Sequence, residues 1–189
     1  MARTTAASIA ALIGGLALLA APAVSQAQGS LSETFDNIRA AIVSQGAVVW
    51  EGFAHDSNPP AGQAADWTYQ RRIDVSNYSY DIPNCTFDFH YRVTTNGTVG
   101  TDIDAGVPLR SARIIKVATE ATLVMQRDAQ AGHPTWASRL QPEIYDVDVI
   151  RDDGADNAFS FYDLQTANRV ARLFEHAAGL CGVSPVSSY

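Results

Sequence analysis

Residues 145–180, YDVDVIRDDGADNAFSFYDLQTANRVARLFEHAAGL, carry the clearest structural signals of the chain. The first five residues alternate apolar and acidic side chains, as a strand with one buried face does. The acidic turn at 152–156 has hairpin chemistry, so 158–162 is predicted to return as the partner strand. Asp163 is a good N-cap, and the apolar stripe over 164–180 predicts a long helix that buries one face.

A second helix is predicted near the start of the chain, over residues 31–45. Ser30 and Glu33 have the spacing of a capping box, in which each side chain accepts a hydrogen bond from a free backbone N–H of the first turn. Apolar residues then recur at helical spacing, and Gly46 is a natural helix end.

The middle of the chain has the shorter period of strands. Strands are predicted near 47–54, 67–75, 78–82, 85–93 and 99–103, and Asn96-Gly97 is a strong signal for a hairpin turn. Residues 113–125 are compatible with one long strand or with a helix through 118–126. Residues 129–142 are predicted to be mostly loop because they contain Gly132, Pro134 and Pro142.

This order of elements predicts an α+β fold. We expect a strongly bent antiparallel sheet or partial barrel of about seven strands, with an N-terminal helix and a C-terminal capping helix. Residues 28–182 are expected to form one globular domain, and residues 183–189 are expected to be a flexible tail.

The final hairpin and helix resemble those of pleckstrin-homology-like domains and the C-terminal parts of uncharacterised bacterial exported proteins. The resemblance rests on Phe159–Asp163, Ala167–Ala171 and His176–Cys181. It implies a pleckstrin-homology-like fold and transfers no catalytic residue. Members that bind phosphoinositides use a basic first hairpin, which this chain matches only at Arg71-Arg72, so the resemblance leaves the ligand open.

Residues 1–27 have the three parts of a cleavable signal peptide. Arg3 supplies the charged start, an apolar stretch follows, and Ser25-Gln26-Ala27 provides small residues for a cut after Ala27. The alternative is an uncleaved membrane anchor, because the stretch approaches the roughly 17 residues that a spanning helix needs. Twelve arginines against one lysine suggest a GC-rich genome and, with the simple leader, predict a bacterial protein of the periplasm or the medium. No stable membrane insertion is expected after cleavage.

Charge limits the partners of this chain. The formal net charge is −7, and loss of Arg3 with the leader would make it −8. An acidic domain repels phosphate backbones and anionic lipid surfaces, so nucleic acid is excluded as a partner.

The two cysteines, Cys85 and Cys181, are predicted to form a disulfide. An even cysteine count in an exported chain favours pairing. The alternative is two buried thiols. Their separation rules out a redox motif of the Cys-x-x-Cys type.

Aromatic residues and arginines on the predicted strands suggest a ligand pocket. The candidate residues are Trp67, Tyr69, Arg71, His90 and Arg92. Such a set could hold a carbohydrate or an aromatic or anionic small molecule. The alternative is that the aromatic side chains are ordinary strand core.

Other constellations are weaker. Asp152, Asp153 and Asp156 could supply oxygen ligands to Ca²⁺, but their spacing does not match an EF-hand, and a solvated turn accounts for them. Neither a metal nor a cofactor is predicted.

No GxSxG or HExxH motif occurs. The sequence therefore favours a non-enzymatic binding or interaction module of the cell envelope, whose partner is an unknown small molecule or envelope protein. The alternative is a small extracytoplasmic hydrolase with an unrecognised site.

Overall fold

A computed structural model describes residues 29–133 and 136–189, and its fold is α+β. The predicted signal peptide, residues 1–27, lies outside the described residues. The helices are α1 (Leu31–Gln45), α2 (Glu120–Gln130) and α3 (Leu164–Leu180). The strands are β1 (Val48–Asp56), β2 (Asp66–Asp81), β3 (Thr86–Thr95), β4 (Thr98–Pro108), β5 (Ala112–Thr119), β6 (Trp136–Gln141), β7 (Tyr145–Arg151), β8 (Asp156–Phe161) and β9 (Val186–Ser188).

The described strands form two open sheets. The large sheet has the order β4-β3-β2-β1-β6, and the small sheet has the order β8-β7-β5-β9. All neighbouring strands are antiparallel except β5 and β9. The predicted α+β class is confirmed. The described strands number nine and are divided between two sheets, whereas the sequence predicted about seven in one bent sheet.

Three local predictions need correction. Residues 136–141, expected to be loop, form the edge strand β6, which pairs with β1 on one side only. A short strand next to Pro142 gives too little alternation to be detected from the sequence. The predicted strands at 67–75 and 78–82 are one long strand, β2, interrupted by a bulge at Asn77. Residues 183–189, expected to be a flexible tail, contain β9, whose pairing with β5 is not encoded locally.

Both predicted helices start at the expected N-cap residues. The Ser30 hydroxyl accepts a hydrogen bond from the Glu33 backbone N–H at 3.2 Å, and α1 ends at Gly46, which has a φ of 68°. The Asp163 carboxylate accepts one from the Thr166 N–H at 2.7 Å and starts α3. None of the helices in the described part of the chain has the length and hydropathy needed to span a bilayer.

An apolar core lies where α1 and α3 pack on each other and on both sheets. Its centre is aromatic: Phe174 stacks on Phe159 with ring centroids 5.2 Å apart and meets Phe87 edge-on at 6.0 Å. The Cys85–Cys181 disulfide joins the turn before β3 to the end of α3, with a Cα–Cα distance of 6.0 Å. The predicted disulfide is therefore confirmed.

Candidate functional site

Helix α2 bridges the two sheets and positions the candidate site. The helix follows β5 directly and packs against β6. The Thr119 hydroxyl caps it by accepting a hydrogen bond from the Thr122 N–H at 3.3 Å, and the Glu120 N–H donates to the Ile144 carbonyl at 2.9 Å. These contacts fix the first turn of α2, and with it the side chain of Glu120, over the space between the sheets.

A cleft of about 270 Å³, which we call the α2 cleft, lies between α2 and the large sheet. It is lined by Ala54, Trp67, Tyr69, Arg71, Thr95, Val124, Arg127 and Asp128. Its volume is just below the roughly 300 Å³ at which small-molecule sites begin. The predicted pocket residues Trp67, Tyr69 and Arg71 meet here because they occupy alternate positions of β2 and share one face of the sheet.

The other two predicted pocket residues, His90 and Arg92, lie on the opposite face of the large sheet. Arg71 pairs with Thr95 across β2 and β3, and alternation along β3 then turns His90 and Arg92 away from the α2 cleft. His90 instead joins two carboxylates of β4: its Nε2 lies 2.6 Å from Asp102 and its Nδ1 lies 2.9 Å from Asp104. The hydrogen bonds to Asp104 and then Asp102 raise the pKa of His90.

A glycine makes room for the aromatic floor of the cleft. Gly52 of β1 pairs with Tyr69 of β2. A Cβ atom added to Gly52 would lie only 2.1 Å from Cζ of Tyr69, so the tyrosine ring occupies the space that any larger residue would need. Burial, followed by the nearby Glu120 carboxylate, raises the pKa of Tyr69 and keeps its phenol protonated. The cleft therefore has a flat apolar surface that ends in a hydroxyl group.

One buried carboxylate holds both arginines of the cleft. Glu120 is 4 % exposed, and both of its oxygens accept hydrogen bonds from Nη2 of Arg127, each at 2.8 Å. Nη1 of Arg71 lies 3.8 Å from the same carboxylate, and the Arg71 guanidinium lies 5.8 Å from the centroid of the Trp50 ring. Charge-assisted contacts of this kind fix the direction of a guanidinium group.

Asp146 of β7 lies beside Glu120 in the same interior and is 1 % exposed. Neither of its carboxyl oxygens has a hydrogen-bond partner of good geometry among the described residues. Burial is the main cause that raises the pKa of Asp146 well above its ordinary value of 3.8, and the neighbouring Glu120 raises it further. The raised pKa favours the neutral form of Asp146, which spares the interior a second unpaired charge.

Sequence reasoning missed the residues that α2 and β1 contribute, namely Gly52, Glu120, Val124, Arg127 and Asp128. Glu120, Val124 and Arg127 have the i, i+4, i+7 spacing of one helix face. That signal was hidden because the segment was equally compatible with a strand.

In the acidic hairpin turn, the Asp153 carboxylate accepts hydrogen bonds from neighbouring residues of the same turn. Asp153 accepts hydrogen bonds from the Ala155 N–H at 2.9 Å and from Arg151 at 3.1 and 3.0 Å. The Ala155 N–H and then Arg151 lower the pKa of Asp153. Asp152 is exposed in the turn, and Asp156 lines a second cleft, described below. Within residues 29–133 and 136–189, no three potential metal ligands among His, Cys, Asp and Glu come together.

No protein-family model, no curated protein sequence and no solved structure matches the chain.

Proposed function

We propose that this chain is a small-molecule-binding domain that acts outside the cytosol, and that the α2 cleft is its binding site. The observation that carries the proposal is the meeting of Tyr69 and Arg71 of β2 with Arg127 of α2 around one cleft. Aromatic surface beside oriented guanidinium groups is the combination that binds a ligand with a planar apolar part and an anionic oxygen group.

Arg71 has the donors that such a ligand would use. Its ion pair with Glu120 is long, at 3.8 Å, whereas Arg127 donates to both carboxylate oxygens at 2.8 Å. Over the described residues, no hydrogen-bond partner satisfies the buried Nε of Arg71. A carboxylate or phosphate oxygen that enters the cleft would therefore meet an under-used guanidinium group.

A small hydrolase is the second candidate, and the Glu120–Asp146 pair is the observation in its favour. A buried carboxyl group with a raised pKa beside a second carboxyl group is an arrangement that general acid–base catalysis uses. However, Asp146 does not line the α2 cleft, and Glu120 is engaged by Arg127. Both facts favour binding over catalysis.

The proposed location is the periplasm or the medium. The Cys85–Cys181 disulfide supports an oxidising compartment, and the sequence of residues 1–27 supports export. N-terminal sequencing of the native protein should begin at Gln28, whereas a chain that begins at Met1 would contradict export by cleavage. The pleckstrin-homology-like relationship of the final hairpin and α3 stays a hypothesis.

The binding proposal is tested with matched phenyl probes. In a titration followed by backbone amide NMR, phenylacetate should shift the amides of 67–71 and 124–128. The neutral analogue 2-phenylethanol should bind about tenfold or more weakly, because it lacks the charge that Arg71 recognises.

Arg71→Met and Arg72→Met form the matched pair of variants. Arg72 is the next residue of β2 but lies on the opposite face, where its Nε and Nη2 donate to Asp74 at 2.8 and 2.7 Å. Arg71→Met should weaken phenylacetate binding about tenfold or more, and Arg72→Met should leave it unchanged. Equal effects of the two variants, or shifts outside the α2 cleft, would contradict the proposal.

A further inference from the structure

A second cleft lies on the other side of the Glu120–Arg127 pair, between α2 and the polar face of the small sheet. Its volume is about 180 Å³. It is lined by Lys116, Glu120, Leu123, Gln126, Arg127, Gln130, Asp148, Asp156 and Ala158. We propose that this cleft, which we call the Asp148 cleft, binds a short organic ammonium ion.

Strand register brings the cleft residues together. Lys116 of β5 pairs with Asp148 of β7, and Asp148 pairs with Ala158 of β8. Asp156 lies two residues before Ala158 and therefore shares its face of the sheet. Three strands thus present two carboxylates, one lysine and one small apolar residue to the same space under α2.

Asp148 is the residue that points to a ligand. Its side chain lines the cleft although the residue is only 2 % exposed. Oδ2 lies 3.3 Å from Nζ of Lys116, but Oδ1 has no hydrogen-bond partner in the described part of the chain. A buried carboxylate oxygen without a donor is costly, and a cationic donor in the cleft would satisfy it.

The charges of the residues that line the Asp148 cleft favour a cationic ligand. Glu120 and Arg127 neutralise each other through their two-pronged contact. Counted at their formal charges, Asp148 and Asp156 face a single lysine, Lys116, which leaves one negative charge in excess among the lining residues. Burial raises the pKa of Asp148, Lys116 lowers it in part, and Asp156 raises it again. A bound cation would relieve the repulsion between the two carboxylates.

The lining favours an organic cation over a metal ion. A hard divalent cation needs several converging oxygen ligands, and the carboxylates of the described residues form no such group of three. An ammonium group needs only two or three acceptors, which Asp148 and Asp156 can supply. Leu123 and Ala158 offer apolar contact to a carbon chain. At about 30 Å³ per water-sized group, the space admits a chain of roughly six heavy atoms.

Binding is measured by amide NMR on the disulfide-bonded protein with n-butylammonium, n-butanol and butyrate, three probes of similar shape that differ in charge. We expect n-butylammonium to shift the amides of 116, 126, 148 and 156–158, with a Kd of about 10 mM or below. The alcohol and the carboxylate should leave these amides unshifted at the same concentration. No shift at the cleft, or equal shifts by the three probes, overturns the proposal.

Three aspartate variants locate the cation. Asp148→Asn and Asp156→Asn should each weaken n-butylammonium binding about tenfold or more, because each loses a charge-assisted hydrogen bond. Asp152→Asn removes the same charge from the exposed turn and should change nothing. Asp156 lies at the exposed start of β8, so its variant serves even if Asp148→Asn fails to fold. Equal weakening by Asp152→Asn, or displacement of n-butylammonium by equimolar Ca²⁺, overturns the proposal.

Discussion

The two interiors of this molecule are buried to the same degree but are built from opposite chemistry. In the apolar core, Phe87, Phe159 and Phe174 are at most 1 % exposed and touch one another. In the polar interior beside α2, Glu120 and Asp146 are 4 % and 1 % exposed and carry ionisable groups.

This difference indicates that the apolar core stabilises the fold, whereas the polar interior contributes less to stability. Apolar burial contributes about 25 cal/mol per Å², whereas a buried ion pair seldom stabilises more than apolar residues of the same volume. The polar interior also leaves atoms of Trp50, Arg71 and Asp146 without partners among the described residues. We therefore assign stability to the core beneath α1 and α3, and we propose the space beside α2 for ligand binding.

Removal of the Cys85–Cys181 disulfide should have the largest effect on the stability of the fold. The two cysteines are separated by 96 positions, and closing a loop of that length stabilises the folded state by about 4–5 kcal/mol in the chain-entropy account. The variant with both Cys85→Ser and Cys181→Ser should lose about that free energy of unfolding in urea denaturation. A loss under about 1 kcal/mol would show that this link does little for the core.

Truncation at the centre of the core should cost almost as much. Phe174→Ala removes a fully buried ring that contacts Phe159 and Phe87, so we expect a loss of about 3–5 kcal/mol. Leu164→Ala on the same helix is the control, because Leu164 is 47 % exposed and should cost less than about 1 kcal/mol. Similar losses from the two variants would contradict the assignment of the core.

Gly52→Ala perturbs the floor of the α2 cleft. The new Cβ would collide with the Tyr69 ring, so we expect a loss of about 1–3 kcal/mol of stability and about tenfold weaker phenylacetate binding. Gly100→Ala of β4 is the matched control, because a Cβ there meets no atom within 4 Å. If Gly52→Ala bound phenylacetate with unchanged affinity, Tyr69 would not be part of the binding surface.

The variant Asp146→Asn tests the raised pKa of Asp146 through the pH dependence of stability. Because the folded-state pKa of Asp146 is raised, its contribution to stability is complete below the unfolded value of 3.8 and is lost as pH rises through the folded value. As pH rises above 3.8, the stability of wild type should fall more steeply than that of Asp146→Asn, by up to about 1.4 kcal/mol per pH unit. Parallel pH profiles in urea denaturation would mean that Asp146 is ionised in the folded protein.

Local signals in the sequence predicted the elements whose ends are determined by near neighbours. The cap residues Ser30 and Asp163 start α1 and α3 as expected. Asn96 and Gly97, with φ values of 50° and 79°, form the hairpin turn between β3 and β4. Each of these features depends on residues within about four positions, so the sequence alone could identify it.

The site was predicted only in part because its remaining contacts join distant segments. Trp67, Tyr69 and Arg71 share a face through simple alternation, which the sequence displays. That His90 and Arg92 lie on the other face depends on the register of β2 with β3, which no local pattern encodes. Glu120 and Arg127 belong to the site because both lie on α2, which directly follows β5. The β-branched residues of this segment also suit one long strand, so the sequence did not identify the helix.

Native mass spectrometry of the protein taken from its own compartment would test whether the space beside α2 holds a ligand. Wild type and Arg72→Met should carry the same additional small mass, and Arg71→Met should lack it, because Arg71 faces the α2 cleft and Arg72 does not. Bare protein in all three samples, or an identical additional mass that Arg71→Met retains, would contradict ligand binding in the α2 cleft.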